Sequence, residues 1–213
     1  MIMSVPVSLR ALGRCNGGFA LTEFAFALPI FLFLLLGGLE ITNFVMTHSR
    51  INQIAITAAD NAGRVRTGID ESNIYEVFSG VELVGQTLDF ADNGRVVLSS
   101  LEDNGRSGAD AGQMINWQRC FGNLAVAPLY GRQGLGRTND ALEDGMGPAA
   151  RPIRSAENTA VMFVEVTYQY TPVFFSALAN EGLRIRYESA FNVRERTNQN
   201  ITNTQNLAVR NCS

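Results

Sequence analysis

The feature that most constrains this chain is an apolar run of sixteen residues, 24–39, which carries no charged side chain and lies close to the N-terminus. A helix needs ~20 predominantly apolar residues to cross a bilayer. Residues 19–46 satisfy this length if Glu23 and Glu40 lie near the two membrane interfaces. A helix in the core of a soluble protein is the alternative, but this run offers no polar face to water. The sequence therefore predicts a transmembrane helix over residues 19–46.

The order of elements around this run argues against a removable export signal. The run is too long for a conventional signal peptide, and no A-x-A site follows it. Cys15 precedes the run, whereas a lipoprotein cysteine would follow it. Arg10 and Arg14 are the charged residues ahead of Glu23, and a short basic head stays in the cytoplasm. We therefore expect an anchor whose N-terminus is cytoplasmic.

Pro29 lies inside the predicted transmembrane helix, where it removes the hydrogen bond to the carbonyl of Ala25. Transmembrane helices tolerate this when other groups satisfy the freed carbonyl. Two interpretations stay open. Pro29 either produces a kink that assists extraction from the bilayer or is simply tolerated.

Glu23 is an acidic residue within an otherwise apolar face. Such a side chain is unfavourable in a membrane unless it finds a partner. If the bond after Gly18 is cut, Phe19 supplies a new ammonium group four positions earlier, ~6 Å along a helix axis. We expect that group, on this chain or on an adjacent subunit, to compensate Glu23. Snorkelling of Glu23 to the interface without any cut is the alternative.

The string GGFALTEF, residues 17–24, resembles a prepilin peptidase site. Such a site has a glycine at the end of a short basic leader, a hydrophobic residue after the cut and a glutamate at the fifth mature position. The longer stretch GGFALTEFAFALPIFLFLLLGGLEITNF resembles TadE-like proteins, the minor pilins or pseudopilins of the tight-adherence (Flp) pilus system. Two downstream segments resemble the same family: TAVMFVEVTYQYTPVFF at 159–175 and WQRC at 117–120.

The resemblance implies cleavage between Gly18 and Phe19, although a cut after Gly17 would place the glutamate at position six. It divides the chain into a leader (1–18), a transmembrane helix (19–46) and a periplasmic α+β domain (47–213). It also implies a single-pass bacterial inner-membrane protein that assembles or seeds a surface pilus, whether or not it enters the fibre.

The partners implied by the resemblance are a prepilin peptidase, other pilus or pseudopilin subunits, the inner-membrane assembly platform and membrane lipid. The alternative function is an unprocessed single-span scaffold or binding module of a secretion machine.

Beyond the membrane, apolar residues recur at helical spacing, which predicts that the anchor helix continues to about Arg66 and stops near Gly68. This stripe contains Ile51, Ile54, Ala55, Ala58, Ala62 and Val65. A shorter helix over 73–90 follows, capped by Asp70 or Ser72.

Alternating patterns then predict strands, separated by a long surface loop at 127–158. The predicted strands cover residues 95–101, 114–120, 160–170 and 183–193. We expect an α+β, pilin-like fold, in which the long helix packs on a three- or four-stranded antiparallel sheet.

Three cysteines are present, and Cys15 falls in the predicted leader. Cys120 and Cys212 are then left in an oxidising compartment, where pairing is favoured. Two free thiols or an intermolecular bridge are the alternatives. The tail 197–206 would be disordered on composition alone, and a bond to Cys212 would order it.

No pattern of catalytic residues is visible. His48 is the single histidine and has no ligand partner at zinc spacing, and no G-x-S-x-G motif is present. The net charge is −3 and no basic block occurs, which gives little support for nucleic-acid binding. We therefore expect neither an enzyme nor a nucleic-acid-binding protein, and no metal or cofactor.

Overall fold

The computed structural model describes residues 17–174 and 183–212. Its helices are α1 (Gly17–Arg64), α2 (Glu71–Gly85) and α3 (Phe90–Asn93), and its strands are β1 (Ile69–Asp70), β2 (Gly94–Asp103), β3 (Gln113–Phe121), β4 (Ala160–Tyr170), β5 (Leu183–Asn192) and β6 (Ile201–Thr202). Strands β3-β2-β4-β5 form an antiparallel sheet in that order, while β1 and β6 pair in parallel. The predicted α+β fold is confirmed. The predicted leader up to residue 16, with Cys15, lies outside the described residues, as does Phe175.

Helix α1 runs for 48 residues without interruption. It ends at Arg64, two residues before the predicted limit, and Gly68 then adopts a φ of +113°, which an L side chain rarely accepts. The predicted apolar stripe is buried against the sheet from Ile51 to Ala62, and Ala59 joins it. Val65 lies just past the helix and is half-buried. The small alanines let α1 approach β4 and β5 closely.

Helix α2 begins at a capping box on Asp70, one of the two predicted caps. Asp70 Oδ1 accepts from the Ser72 amide at 3.1 Å, and the Asp70 amide donates to Asn73 Oδ1 at 3.0 Å. The helix ends before the predicted limit of 90 because the chain tightens into a 3-10 turn at Gln86–Leu88 and Asp89 then adopts a left-handed φ of +46°. Phe90 packs back against Gly85, where a Cβ would lie 2.5 Å from Cβ of Phe90.

The predicted surface loop is irregular, but it does more than connect two strands. Leu142 and Met146 pack onto the face of the sheet opposite α1, in a cluster with Leu101, Ile115 and Phe163. The sheet is therefore covered on both faces, by helices on one side and by residues 122–159 on the other.

Candidate functional site

The first half of α1 presents a continuous and largely exposed apolar surface. Its exposed large side chains are Phe19, Leu21, Phe24, Phe26, Ile30, Phe31, Leu32, Phe33, Leu34, Leu35, Leu39 and Ile41. Within the described part of the chain, α1 is the one helix long and apolar enough to cross a membrane. Water solvates such a surface poorly, so it requires lipid or protein around it.

Gly18 and Phe19 lie in the first turns of α1, and nothing stands within 4 Å of the position that a Cβ on Gly18 would take. The Thr22 hydroxyl donates to the Phe19 carbonyl at 2.7 Å. Glu23 is exposed one turn further along. It makes no ion pair with another described residue, so its carboxylate is open to a partner from outside.

Pro29 does not divide the helix, and α1 continues through it without a break. The kink at Pro29 therefore remains a prediction.

Glu40 makes a contact that the sequence analysis missed. Its carboxylate accepts hydrogen bonds from the Tyr170 hydroxyl and from the backbone amides of Val173 at 3.0 Å and Phe174 at 2.8 Å. The side chain of Asn43 also donates to the Tyr170 oxygen at 3.1 Å. The end of β4 is thereby tied to the last part of the predicted transmembrane segment. The only sequence signal was a lone acid at the end of an apolar run.

Aromatic rings fill the junction between α1 and the sheet just beyond Glu40. The Phe44 ring lies 4.5 Å from His48 and 5.1 Å from Tyr170, centroid to centroid, in edge-on arrangements. His48 Nδ1 and the Tyr187 hydroxyl form a hydrogen bond of 3.1 Å. The single histidine is thus held within an aromatic packing layer that joins helix and sheet.

A buried ion pair joins α2 to the edge strand β3. Arg119 donates from Nε and Nη2 to Glu71 Oε1 at 2.8 and 2.5 Å, and both side chains are almost fully buried. Nearby, Asp70 accepts from the Thr204 amide and the Thr202 hydroxyl as well as from Ser72. These hydrogen bonds, the Thr204 amide first, hold the pKa of Asp70 well below its usual range. The ion pair fixes α2 against β3, and the Asp70 hydrogen bonds position the C-terminal segment at the start of α2.

The face of the sheet under residues 122–159 contains a buried carboxyl group. Glu165 is 4% exposed, its Oε2 accepts from the Leu129 amide at 2.8 Å, and it pairs across β4 and β5 with Glu188. The Tyr130 hydroxyl donates to Glu188 at 2.9 Å. Burial, reinforced by the Glu188 charge, raises the pKa of Glu165 from 4.5 to about 7.

Cys120 and Cys212 form a disulfide across 92 residues, as predicted. The tail that leads to it is ordered by further contacts, since the Cys120 amide donates to the Arg210 carbonyl at 2.8 Å and Tyr75 donates to the Ala208 carbonyl at 2.7 Å. The polar tail is therefore bound along β3 and α2.

Together these features define a class of protein: an α+β domain carried on the second half of one long helix, whose first half is an apolar anchor. The family model described as TadE-like protein matches residues 18–60, which confirms the family resemblance over this stretch. The match begins at Gly18 and ends within the packed half of α1, so it covers Phe19, Glu23 and Pro29. This match and the apolar helix indicate a membrane-anchored protein whose anchor region is similar to that of TadE-like proteins. No curated protein and no solved structure matched the chain.

Proposed function

We propose that this chain is a pseudopilin or minor-pilin-like structural component of a tight-adherence (Flp) pilus, cleaved by a prepilin peptidase between Gly18 and Phe19. One observation supports this most strongly. The family match begins at Gly18, where an apolar helix starts with its first turns uncovered by the domain. The proposed role is structural and needs no catalytic group or cofactor.

In the proposed mechanism, the leader keeps the N-terminus in the cytoplasm until the peptidase cuts it. The cut frees the ammonium group of Phe19, one helical turn before Glu23. Apolar side chains of the first half of α1 then exchange lipid contacts for contacts with neighbouring subunits in the inner-membrane assembly platform. The Glu23 carboxylate neutralises the ammonium of its own or an adjacent chain, which removes two unpaired charges from an apolar surface.

Co-expression of the full chain with a prepilin peptidase tests the processing step. We expect an N-terminal sequence that starts at Phe19 and is lost in Gly18→Ala. The matched control is Gly17→Ala, which should still be processed. A mature chain starting at Gly18 would move the cut by one residue, and retention of the whole leader would favour the unprocessed scaffold instead.

A second experiment isolates the role of Glu23. Glu23→Ala should leave cleavage intact but impair incorporation into pili, because the ammonium loses its partner. Thr22→Ala changes the neighbouring residue and should assemble normally. Unchanged piliation in Glu23→Ala would refute the charge-neutralising role while leaving the processing step standing.

A further inference from the structure

The exposed side chains of α1 mark where its apolar surface ends. On the side that faces away from the sheet, large apolar side chains remain exposed at Ile41, Val45 and Met46. Polar side chains, Ser49 and Gln53, then interrupt this surface before Ile56, which is 44% exposed. We take the end of the continuous apolar surface, near Met46, as the outer edge of the membrane interface around α1, so that Glu40 lies within the interface.

Glu40 lies six residues before Met46, about 9 Å closer to the membrane centre at 1.5 Å per residue. Its carboxylate binds the backbone amides of Val173 and Phe174. The chain that leaves β4 is consequently held at the depth of Glu40, on the membrane side of the boundary that Met46 marks. Glu40 also satisfies two backbone N–H groups that lipid could not.

Three side chains at this end of the sheet are apolar and largely exposed. Val173 is 62% exposed, Phe174 46% and Leu183 55%. Leu183 pairs with Tyr170 across β4 and β5, so it lies in the same row as the tyrosine that contacts Glu40. The opposite end of the sheet, between β2 and β3, carries polar side chains instead, including Asn104, Arg106, Ser107 and Asp110.

We propose that Val173, Phe174 and Leu183 form a second membrane contact, which inserts into the outer leaflet of the bilayer that α1 spans. Arg184 is exposed beside Leu183 and hydrogen-bonds Gln169 at 3.3 Å, a position from which its guanidinium reaches lipid phosphates. The inference rests on the membrane anchor of the proposed function, but not on cleavage or pilus assembly.

A second contact changes how the domain is held. A single helix fixes the distance of the domain from the membrane but leaves the domain free to tilt relative to the bilayer. A lipid contact to one side of α1 limits that tilt, because tilting the domain away would withdraw these apolar side chains from lipid. Removal of the chain from the bilayer then requires withdrawal of this contact as well as of α1.

Depth-dependent quenching tests the proposal. The full chain carrying Gly18→Ala, which keeps the leader, is reconstituted in phosphatidylcholine vesicles with or without brominated acyl chains. A tryptophan is introduced by Phe174→Trp, and the background from Trp117, the single native tryptophan, is subtracted with the parent chain. We expect blue-shifted emission and a clear loss of fluorescence in brominated lipid.

Leu83→Trp is the matched control. Leu83 lies in α2 and is 74% exposed. Its neighbour Gly85 packs beside Ile54 of α1. Ile54 is eight residues beyond Met46, about 12 Å further from the membrane along α1. This tryptophan should not be quenched. Quenching of Phe174→Trp no greater than that of Leu83→Trp would overturn the proposal. Val173→Trp provides a second probe with the same expectation, and an intact Cys120–Cys212 bond on non-reducing analysis verifies folding of each variant.

All of these variants carry Gly18→Ala and are expected to keep the leader. A negative quenching result would therefore contradict the second membrane contact but not the proposed cleavage between Gly18 and Phe19. Glu40→Gln adds a test of the tether. The glutamine carbonyl accepts hydrogen bonds from the Val173 and Phe174 amides more weakly than the carboxylate does, so the quenching of Phe174→Trp should decrease. Undiminished quenching would show that Glu40 does not set the depth of Phe174 in the membrane.

Discussion

The two halves of α1 share one helix and one apolar character, yet they have different surroundings. The first half carries bulky Phe and Leu side chains, which are exposed, whereas the second half buries two isoleucines and four alanines against the sheet. Side-chain size separates them more than hydrophobicity does. Small residues allow the backbones of helix and sheet to approach closely and pack tightly. Large apolar side chains instead present a wide surface that lipid chains can cover.

The difference shows where the folding stability of this chain resides. The second half of α1 belongs to a core with β2, β4 and α2, so its helical state depends on tertiary packing. The first half relies on its own backbone hydrogen bonds and on its surroundings. Substitutions of the same type in the two halves should therefore have very different effects.

The largest expected effect comes from the disulfide that secures the C-terminal tail. Loss of a cross-link that closes a loop of this length lowers the free energy of unfolding by about 4–5 kcal/mol in the chain-entropy model. We expect this for Cys212→Ser, with faster amide exchange in the packed half of α1 and unchanged exchange in the exposed half. Denaturation followed by Trp117 fluorescence provides the measurement. Cys15→Ser, in the predicted leader, is the control and should leave stability unaltered.

Matched isoleucine truncations compare the two halves directly. Ile54 is fully buried and Ile30 is 66% exposed. Ile54→Ala should lower the free energy of unfolding by about 2–5 kcal/mol, because it removes buried methyl groups and leaves a cavity. Ile30→Ala should change it by less than about 0.5 kcal/mol. Comparable losses at both positions would contradict the division of α1.

The packed side of the fold was largely predictable from local patterns. Helical spacing identified the buried stripe from Ile51 to Ala62, and alternation placed β4 at Ala160–Tyr170 without error. Asp70 was identified as a cap because a short polar side chain before an apolar run satisfies free amides. Each of these predictions uses residues that are close together in the sequence, so each can be made from one sequence alone.

The remainder depends on contacts between distant residues, which no local pattern encodes. Glu40 meets Val173 and Phe174 across more than a hundred residues, and residues 122–159 cover a face of the sheet through Leu142 and Met146 despite a composition typical of loops. The early end of α2 at Gly85 coincides with the left-handed backbone of Asp89 and with the packing of Phe90 against Gly85. The burial of Glu165 likewise depends on a segment that the sequence predicted to be a surface loop.

Glu165 predicts a pH dependence confined to the packed domain. Its pKa is about 7 in the folded chain and 4.5 as a free side chain, so the folded state binds its proton more tightly. This contribution to stability is complete below pH 4.5 and is lost as pH rises to about 7, a difference of roughly 3 kcal/mol.

Glu165→Gln should abolish most of that slope and raise stability at pH 8 relative to the parent chain. The measurement is urea denaturation at pH 4.5, 6 and 8, with Trp117 fluorescence as the signal. Glu188→Gln is the control on the opposing strand: it removes a neighbouring charge but leaves Glu165 buried, so most of the slope should persist. A slope unchanged by Glu165→Gln would show that another group carries it.

The smallest expected effect concerns the junction where the two halves of α1 meet. Tyr170 donates its hydroxyl to Glu40 and accepts from Asn43, so Tyr170→Phe removes one hydrogen bond to a carboxylate that keeps two backbone amides. We expect a loss of about 1 kcal/mol in the free energy of unfolding. Tyr187→Phe is the control, because it loses only its hydrogen bond to His48 and should not disturb residues near Glu40.

Amide exchange at Val173 and Phe174 distinguishes the two variants, because only Tyr170→Phe weakens the contact between Glu40 and the segment that follows β4. Equal exchange in both would mean that the backbone amides hold this junction without the tyrosine.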